Sequence, residues 1–208
     1  MNILIIGASG NIGSRILKEA IGRGHHVTAA ARKPERIEGN SSVRAIALDV
    51  LDVDATSTLS RDADVIVSAL SPRGVGDPMA VATAFGNALI EAARRTAKRL
   101  MVVGGAGSLV FPDGSLVAET LPDFIRPESM AMRGVRDALK ASNIDWTFFS
   151  PAGLIFPGER TGNFRLGTTT MLFDEKNESR ISVEDYAMAF VDEIERPAYR
   201  RSQMTIAY

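Results

Sequence analysis

Gly7-Ala8-Ser9-Gly10-Asn11-Ile12-Gly13 sets glycine at every third position, directly after the apolar run Ile3 to Ile6 and directly before an amphipathic stretch. Such a loop meets three demands. One glycine permits a tight turn, another lets the backbone approach a pyrophosphate, and the third lets a helix pack close to a strand. The helix that follows offers free N–H groups and the positive end of its dipole to phosphates. Gly7, Ser9, Gly10, Asn11, Ile12 and Gly13 are therefore the expected contacts of a dinucleotide.

The choice between nicotinamide dinucleotides falls to the end of the second strand. There an acidic residue about 20 positions on would hold the ribose 2′-hydroxyl of NAD, and a basic residue would accept a 2′-phosphate. The sequence reads Ala29-Ala30-Ala31-Arg32-Lys33, with no carboxylate. Arg32 brings a planar donor fork suited to phosphate, and Lys33 adds charge, so NADP(H) is expected over NAD(H). Asp49 and Val50 close the third strand, where the adenine edge would lie. Asp49 either accepts a hydrogen bond from the exocyclic amine or caps a turn over Asp52 to Ser60. Ala69 and Leu70, inside Ser68-Ala69-Leu70-Ser71, are small enough to let a cofactor lie across the sheet edge. Arg73, in Pro72-Arg73-Gly74-Val75-Gly76, reads as a solvent-facing charge or a phosphate contact.

Composition removes several alternatives. The chain has 208 residues and no cysteine, which excludes thiolate catalysis, thiolate zinc sites and disulfides, and suits a reducing cytoplasm. No metal site is expected from the spacing of the remaining ligands. The 24 basic and 25 acidic side chains leave a net charge of −1, which gives no support for nucleic-acid binding. No apolar stretch approaches the roughly 18 to 20 residues of a membrane helix. The expected partner is a small-molecule acceptor. Tyrosine occurs only at 186, 199 and 208, so any chemistry before them proceeds without a phenol.

Short apolar runs alternate with amphipathic stretches from the first residue onward. This predicts an α/β fold of Rossmann type, a doubly wound parallel sheet with helices on both faces and strand order 3-2-1-4-5-6. The runs are Ile3 to Ile6, Val27 to Ala31, Val43 to Leu48, Val65 to Ala69, Leu100 to Val103 and Trp146 to Phe149, with Met204 to Ala207 as a candidate seventh strand. Helices are expected after Gly10, from Asp77-Pro78, from Pro127 to Ala141, and from Ser182, where Asp185 completes a capping box. In that last helix Tyr186 and Phe190 are core residues or the interface of a homodimer. Two irregular segments, Gly104 to Arg126 and Pro151 to Arg180, follow the fifth and sixth strands and are long enough to be functional. The whole of 1–208 is expected to be one domain, with 1–150 as the dinucleotide-binding core and 151–208 as a small substrate-side lid and closing helix.

The chain resembles the short-chain dehydrogenase/reductase superfamily, in its atypical NAD(P)H-binding branch of NmrA-like, biliverdin-IXβ-reductase-like and NADH-flavin reductase-like proteins. The resemblance rests on the glycine loop, on Val102-Val103-Gly104-Gly105-Ala106-Gly107-Ser108, on Asp145-Trp146-Thr147-Phe148-Phe149-Ser150-Pro151-Ala152, on Pro157-Gly158-Glu159-Arg160-Thr161-Gly162, and on Ile181-Ser182-Val183-Glu184-Asp185-Tyr186. It implies that Gly104, Gly105, Pro151 and Ala152 flank the nicotinamide. It also implies that Ser108 corresponds to the serine that elsewhere assists a Tyr-x-x-x-Lys pair. That pair has no match, because the helix from Pro127 carries Glu128, Ser129 and Met130 there. Hydride transfer to a flavin-like or quinone-like acceptor survives this omission, since such an acceptor takes its proton from water. Flavin would then be a substrate rather than a prosthetic group. In this reading Ser108 donates a hydrogen bond to the acceptor, while Phe156, Glu159 and Arg160 shape its pocket. The other reading is a non-catalytic NAD(P)-sensing regulator of NmrA-like type.

Overall fold

The computed structural model describes residues 1–38, 41–74 and 76–208. Gly39, Asn40 and Val75, the last within the 72–76 loop, lie outside the described residues. The sheet is built outward from β1 (Asn2–Ile6), which pairs in parallel with β2 (His26–Ala31) on one side and β4 (Val65–Ser68) on the other. Ile3 lies opposite both Val27 and Val65. β3 (Val43–Ala47) flanks β2, while β5 (Arg99–Val103) and β6 (Trp146–Ser150) continue past β4. The order 3-2-1-4-5-6 is therefore the one expected.

The seventh strand also forms, as β10 (Ser202–Ala207) parallel to β6. An eighth, β8 (Arg165–Gly167), pairs antiparallel with β10 and had no signal in the sequence, being three residues long. β7 (Leu154–Phe156) and β9 (Arg180–Ser182) make a separate two-stranded parallel ribbon.

Both faces of the central strands are buried, which is why they read as unbroken apolar runs. Ile3, Ile5, Val67 and Phe149 face α1 (Asn11–Gly22) and α6 (Val183–Glu195). Leu4, Ile66, Val102 and Phe148 face α3 (Pro78–Thr96) and α5 (Arg126–Ala141). Tyr186 and Phe190 are fully buried in the first layer, so they are core residues and a homodimer would need another surface. Since α6 and β10 also complete the core, only part of 151–208 projects from it.

Asp52 to Ser60 is not a turn but most of a helix, α2 (Val53–Arg61), with the Asp52 carboxylate accepting from Ala55 N at 2.9 Å. Its buried positions are Thr56, Ser57 and Ser60 rather than aliphatic residues, so it lacks an apolar stripe. The Ser57 and Ser60 hydroxyls instead donate back to the carbonyls of Val53 and Thr56 at 2.6 and 2.7 Å.

The two irregular segments are joined to each other. The first holds a 3₁₀ turn at Ala106–Ser108 and a single helical turn, α4 (Val117–Thr120). Val110 N donates to Thr169 O at 3.0 Å, and Met171 N donates to Val110 O at 2.8 Å. Leu109, Val117 and Met171 form a small apolar cluster beside this junction, flanked by Phe111 stacked on Phe173.

Candidate functional site

The glycine loop is fixed by sterics. Gly7 adopts φ +89°, and a Cβ on it would stand 2.8 Å from the Ala69 carbonyl oxygen. A Cβ on Gly13 would lie only 2.2 Å from Gly7 O, and one on Gly10 would lie 3.2 Å from the same atom. Ala69 thus forms the floor against which the loop turns. Beyond the loop, α1 begins without a side-chain cap and without an acidic residue in its first turn. α2, α3 and α6 are instead capped by Asp52, Asp77 and Ser182. The N–H groups of Asn11, Ile12 and Gly13 are left for an external acceptor, and the helix end favours an anion. A dinucleotide pyrophosphate fits this cradle.

Arg32 and Lys33 are exposed just past β2 and have no ion-pair or side-chain hydrogen-bond partner among the described residues. Arg36, one short 3₁₀ turn further on, is exposed and unpaired in the same way. Its relevance was not read from the sequence, although three cations within five residues were a visible signal. Asp49 is exposed and accepts from Leu51 N at 3.0 Å, which closes its own turn; the helix cap is Asp52. Val50 packs as a partly buried residue against the α3 side of the core, as does Leu70.

Gly104 and Gly105 follow β5. A Cβ on Gly104 would fall 2.3 Å from the Phe148 ring, which fills the space a side chain would need, so only glycine fits here. Gly104 N donates to Phe149 O at 2.8 Å, and the Tyr186 hydroxyl donates to the same carbonyl at 2.6 Å. Burial pushes the Tyr186 phenol well above its ordinary pKa. Pro151 and Ala152 are buried at the end of β6, with Ala152 in the α1 and α6 layer.

Ser108, expected as a hydrogen-bond donor to an acceptor, sits in a buried hydrogen-bond network. It is 1% exposed, and its hydroxyl donates to Gly105 O at 2.7 Å. The Ser150 hydroxyl lies 2.8 Å away, and Gln203 Nε2 donates to both serine oxygens at 3.0 Å. Arg136 fixes the orientation of the Gln203 amide by donating to its Oε1 at 3.3 Å and to Ser108 O at 2.7 Å. With its proton directed at a backbone carbonyl, Ser108 ties down the 105–108 turn. Gln203 was not anticipated, because the strand was expected to begin one residue later.

Arg160 is likewise committed elsewhere. Its guanidinium makes two hydrogen bonds of 2.9 Å to the Glu19 carboxylate on α1, so it is not a free cation for an anionic acceptor. The bonds from Arg160, more than any other group, hold the Glu19 carboxyl below the usual carboxylate range. Arg160 lines a cleft of about 960 Å³ along α1 together with Ser9, Arg15, Arg36 and Glu184. Gly104, Pro151 and Ala152 do not line that cleft. Glu159 is exposed, with its carbonyl taken by the Ser182 hydroxyl at 2.7 Å, and Phe156 is half-buried in β7.

α5 brings a further acidic group to the crevice. Ser129 abuts Gly107, and Glu128 accepts from the Ser71 hydroxyl at 2.9 Å and from Arg73 Nε at 2.8 Å. Arg73 is therefore ion-paired, and that pairing raises its pKa.

Residues 7–194 match the family model described as NAD(P)H-binding. The chain belongs to this NAD(P)H-binding family. Among solved structures, the family member is similar to a protein from Burkholderia pseudomallei named "putative exported protein", at 41% identity and TM-score 0.90 over the full length of both chains. It is similar to a "putative epimerase" from Bacteroides thetaiotaomicron at 36% identity and TM-score 0.92, covering 100% of this chain and 96% of that one. It is also similar to a "putative NADH-flavin reductase" from Streptococcus pneumoniae at 30% identity and TM-score 0.85, covering 100% of this chain and 99% of that one. The glycine cradle and its uncapped helix have the geometry that suits a dinucleotide pyrophosphate, in a chain that belongs to an NAD(P)H-binding family. Among the described residues, no helix is long and apolar enough to cross a membrane, and no cluster of acidic, histidine or cysteine side chains could hold a metal ion.

Proposed function

We propose that the chain is an NADPH-dependent reductase that passes hydride to a planar flavin-like or quinone-like acceptor, in the cytoplasm, without a protein phenol to move the proton. The observation that carries this reading is where the three tyrosines are. Tyr186 is buried and bonded to Phe149 O, Tyr208 is bonded to Asp185, and Tyr199 packs against the core. Tyr186 reaches the end of β6, but its hydroxyl is spent on Phe149 O, as that of Tyr208 is on Asp185. Glu128, one of the three residues that stand in place of the superfamily's tyrosine and lysine, is engaged by Ser71 and Arg73 rather than set out as a proton donor. Carbonyl reduction and epimerisation both need such a donor; reduction of an isoalloxazine or quinone does not.

When bound, NADPH supplies the hydride. The chain's own residues bind, orient and shield. Asn11, Ile12 and Gly13 offer N–H groups to the pyrophosphate, and Arg32 with Lys33 and Arg36 recognises the 2′-phosphate. Gly104 and Gly105 leave a side-chain-poor edge against which a ring can stack, with Pro151 and Ala152 buried at the neighbouring strand end. Ser108, Ser150 and Gln203 hold that edge from beneath, which keeps hydride donor and acceptor in register. The resemblance to the S. pneumoniae protein supports the choice of acceptor.

The test is NADPH absorbance followed with riboflavin, FMN and a quinone series. Turnover with at least one of them supports the reductase. Tight NADPH binding without oxidation across the series would instead favour an NAD(P)-sensing regulator, which the lack of a proton donor also suits.

A further inference from the structure

The N-terminus of α6 is capped in an unusual way. Ser182 accepts from Asp185 N at 3.0 Å, the first half of a capping box. In a complete box Asp185 would return to the Ser182 N–H. Here that N–H donates to the Tyr208 hydroxyl at 3.2 Å, and the Asp185 carboxylate faces outward to the loop after β7. It accepts from the Thr161 hydroxyl at 2.6 Å and from Gly162 N at 2.8 Å, with the Tyr208 hydroxyl as third donor at 2.9 Å. The side chain is fully buried, so this carboxylate is shielded from water and fully engaged.

The same loop is gripped at each preceding residue. Gly158 N donates to Glu184 at 2.8 Å, the Ser182 hydroxyl donates to Glu159 O at 2.7 Å, and Arg160 reaches Glu19. Five consecutive residues, 158 to 162, are therefore each tied down, four of them to three residues of one helix start. A surface loop needs no such anchoring to remain folded, and a buried carboxylate is costly unless fully hydrogen-bonded. The segment Pro157 to Gly162 continues directly from Pro151, Ala152 and β7, the expected acceptor side.

We propose that Asp185 is a positioning residue whose carboxylate, relayed through Thr161 and Gly162, fixes the 157–162 loop as a rigid wall of the acceptor site. This rests on the reductase reading above. The carboxylate makes no contact with cofactor or acceptor; it acts through the loop.

The deciding pair is Thr161→Val, which keeps shape but removes the hydroxyl, and Thr161→Ser, which restores it. Steady-state kinetics with NADPH and riboflavin, FMN or menadione should show an acceptor KM raised about tenfold in Thr161→Val, with NADPH Kd unchanged. Thr161→Ser should return it to within about twofold of the parent. Equal acceptor KM in both variants, or an NADPH Kd that moves with the acceptor KM, overturns the proposal. If the parent protein oxidises NADPH with none of the acceptors, the reductase reading fails. Amide exchange over 157–162 then decides separately: faster exchange in Thr161→Val than in Thr161→Ser retains the anchor, and equal exchange removes it.

Discussion

The Ser108 and Ser150 hydroxyls lie 2.8 Å apart, buried between β6 and the turn that follows β5, and both accept from Gln203. Each polar atom in this group has a partner, so deleting one member leaves others short. Ser108→Ala removes the bond to Gly105 O and deprives Gln203 of one acceptor. We expect a loss of about 1–3 kcal/mol, seen by calorimetry as a fall in Tm of about 2–4 °C per kcal/mol. Unchanged stability with abolished turnover would restore Ser108 as a direct donor.

Cofactor choice is predicted to rest on the corner past β2. Arg32→Ala should weaken NADPH binding by about tenfold or more, roughly one charge-assisted hydrogen bond, and Arg32→Ala with Arg36→Ala should weaken it further. NADH binding should be unaffected in both. Isothermal titration with each cofactor reads the difference, and equal losses for both would place these cations away from the 2′-phosphate.

Glycines in and beside α1 should respond in opposite directions. Gly13→Ala forces a Cβ to 2.2 Å from a backbone oxygen, so cofactor binding should be lost and stability should fall. Gly22→Ala meets nothing within 4 Å at the far end of the same helix and should stabilise by about 0.5–1 kcal/mol. Denaturant unfolding of the two variants checks the contrast.

The Glu19–Arg160 contact predicts an acid-side effect. Because the Glu19 pKa is lowered in the native state, its stabilisation is complete above the unfolded value of about 4.3 and is lost as pH falls through the native one. The parent should therefore exceed Glu19→Gln in stability by a constant amount from neutral pH to about 5, with the gap closing below about 4. A gap that does not narrow as pH falls below about 4 would contradict the assignment.

At high pH the sign reverses for Tyr186. Its phenol stays protonated in the native state above the unfolded pKa of about 10, so the unfolded chain releases a proton that the folded chain keeps. Stability of the parent relative to Tyr186→Phe should fall as pH rises past about 10. Unfolding curves collected between pH 8 and 11 in about half-unit steps test this.

The sheet and its order were legible because strands buried on both faces leave continuous Ile, Val and Leu runs, and the glycine loop was legible because its spacing is a steric requirement. α2 was not, since its buried positions are Thr56, Ser57 and Ser60, whose hydroxyls donate to the carbonyls of Val50, Val53 and Thr56 instead of forming an apolar stripe. The hydrogen-bond partners of Ser108 and Arg160 were not legible for one reason. A residue type at the right place in a motif says what it can donate, while its partner, Gly105 O in one case and Glu19 in the other, comes from elements distant in sequence. Gln203 and Asp185 show the converse: both look ordinary in the sequence, and their importance appears only when the loops they hold are folded against them.

The hydrogen bonds between Val110 and the Thr169 to Met171 segment have a kinetic consequence. Because the segments after β5 and β6, which flank the acceptor in the proposed reductase, share a ladder and an apolar cluster, neither can swing open alone without breaking both. Admission of acceptor and release of product would then be timed by one concerted opening, so substitutions some 60 residues apart in sequence, such as at Leu109 and Met171, should slow or hasten the same single step.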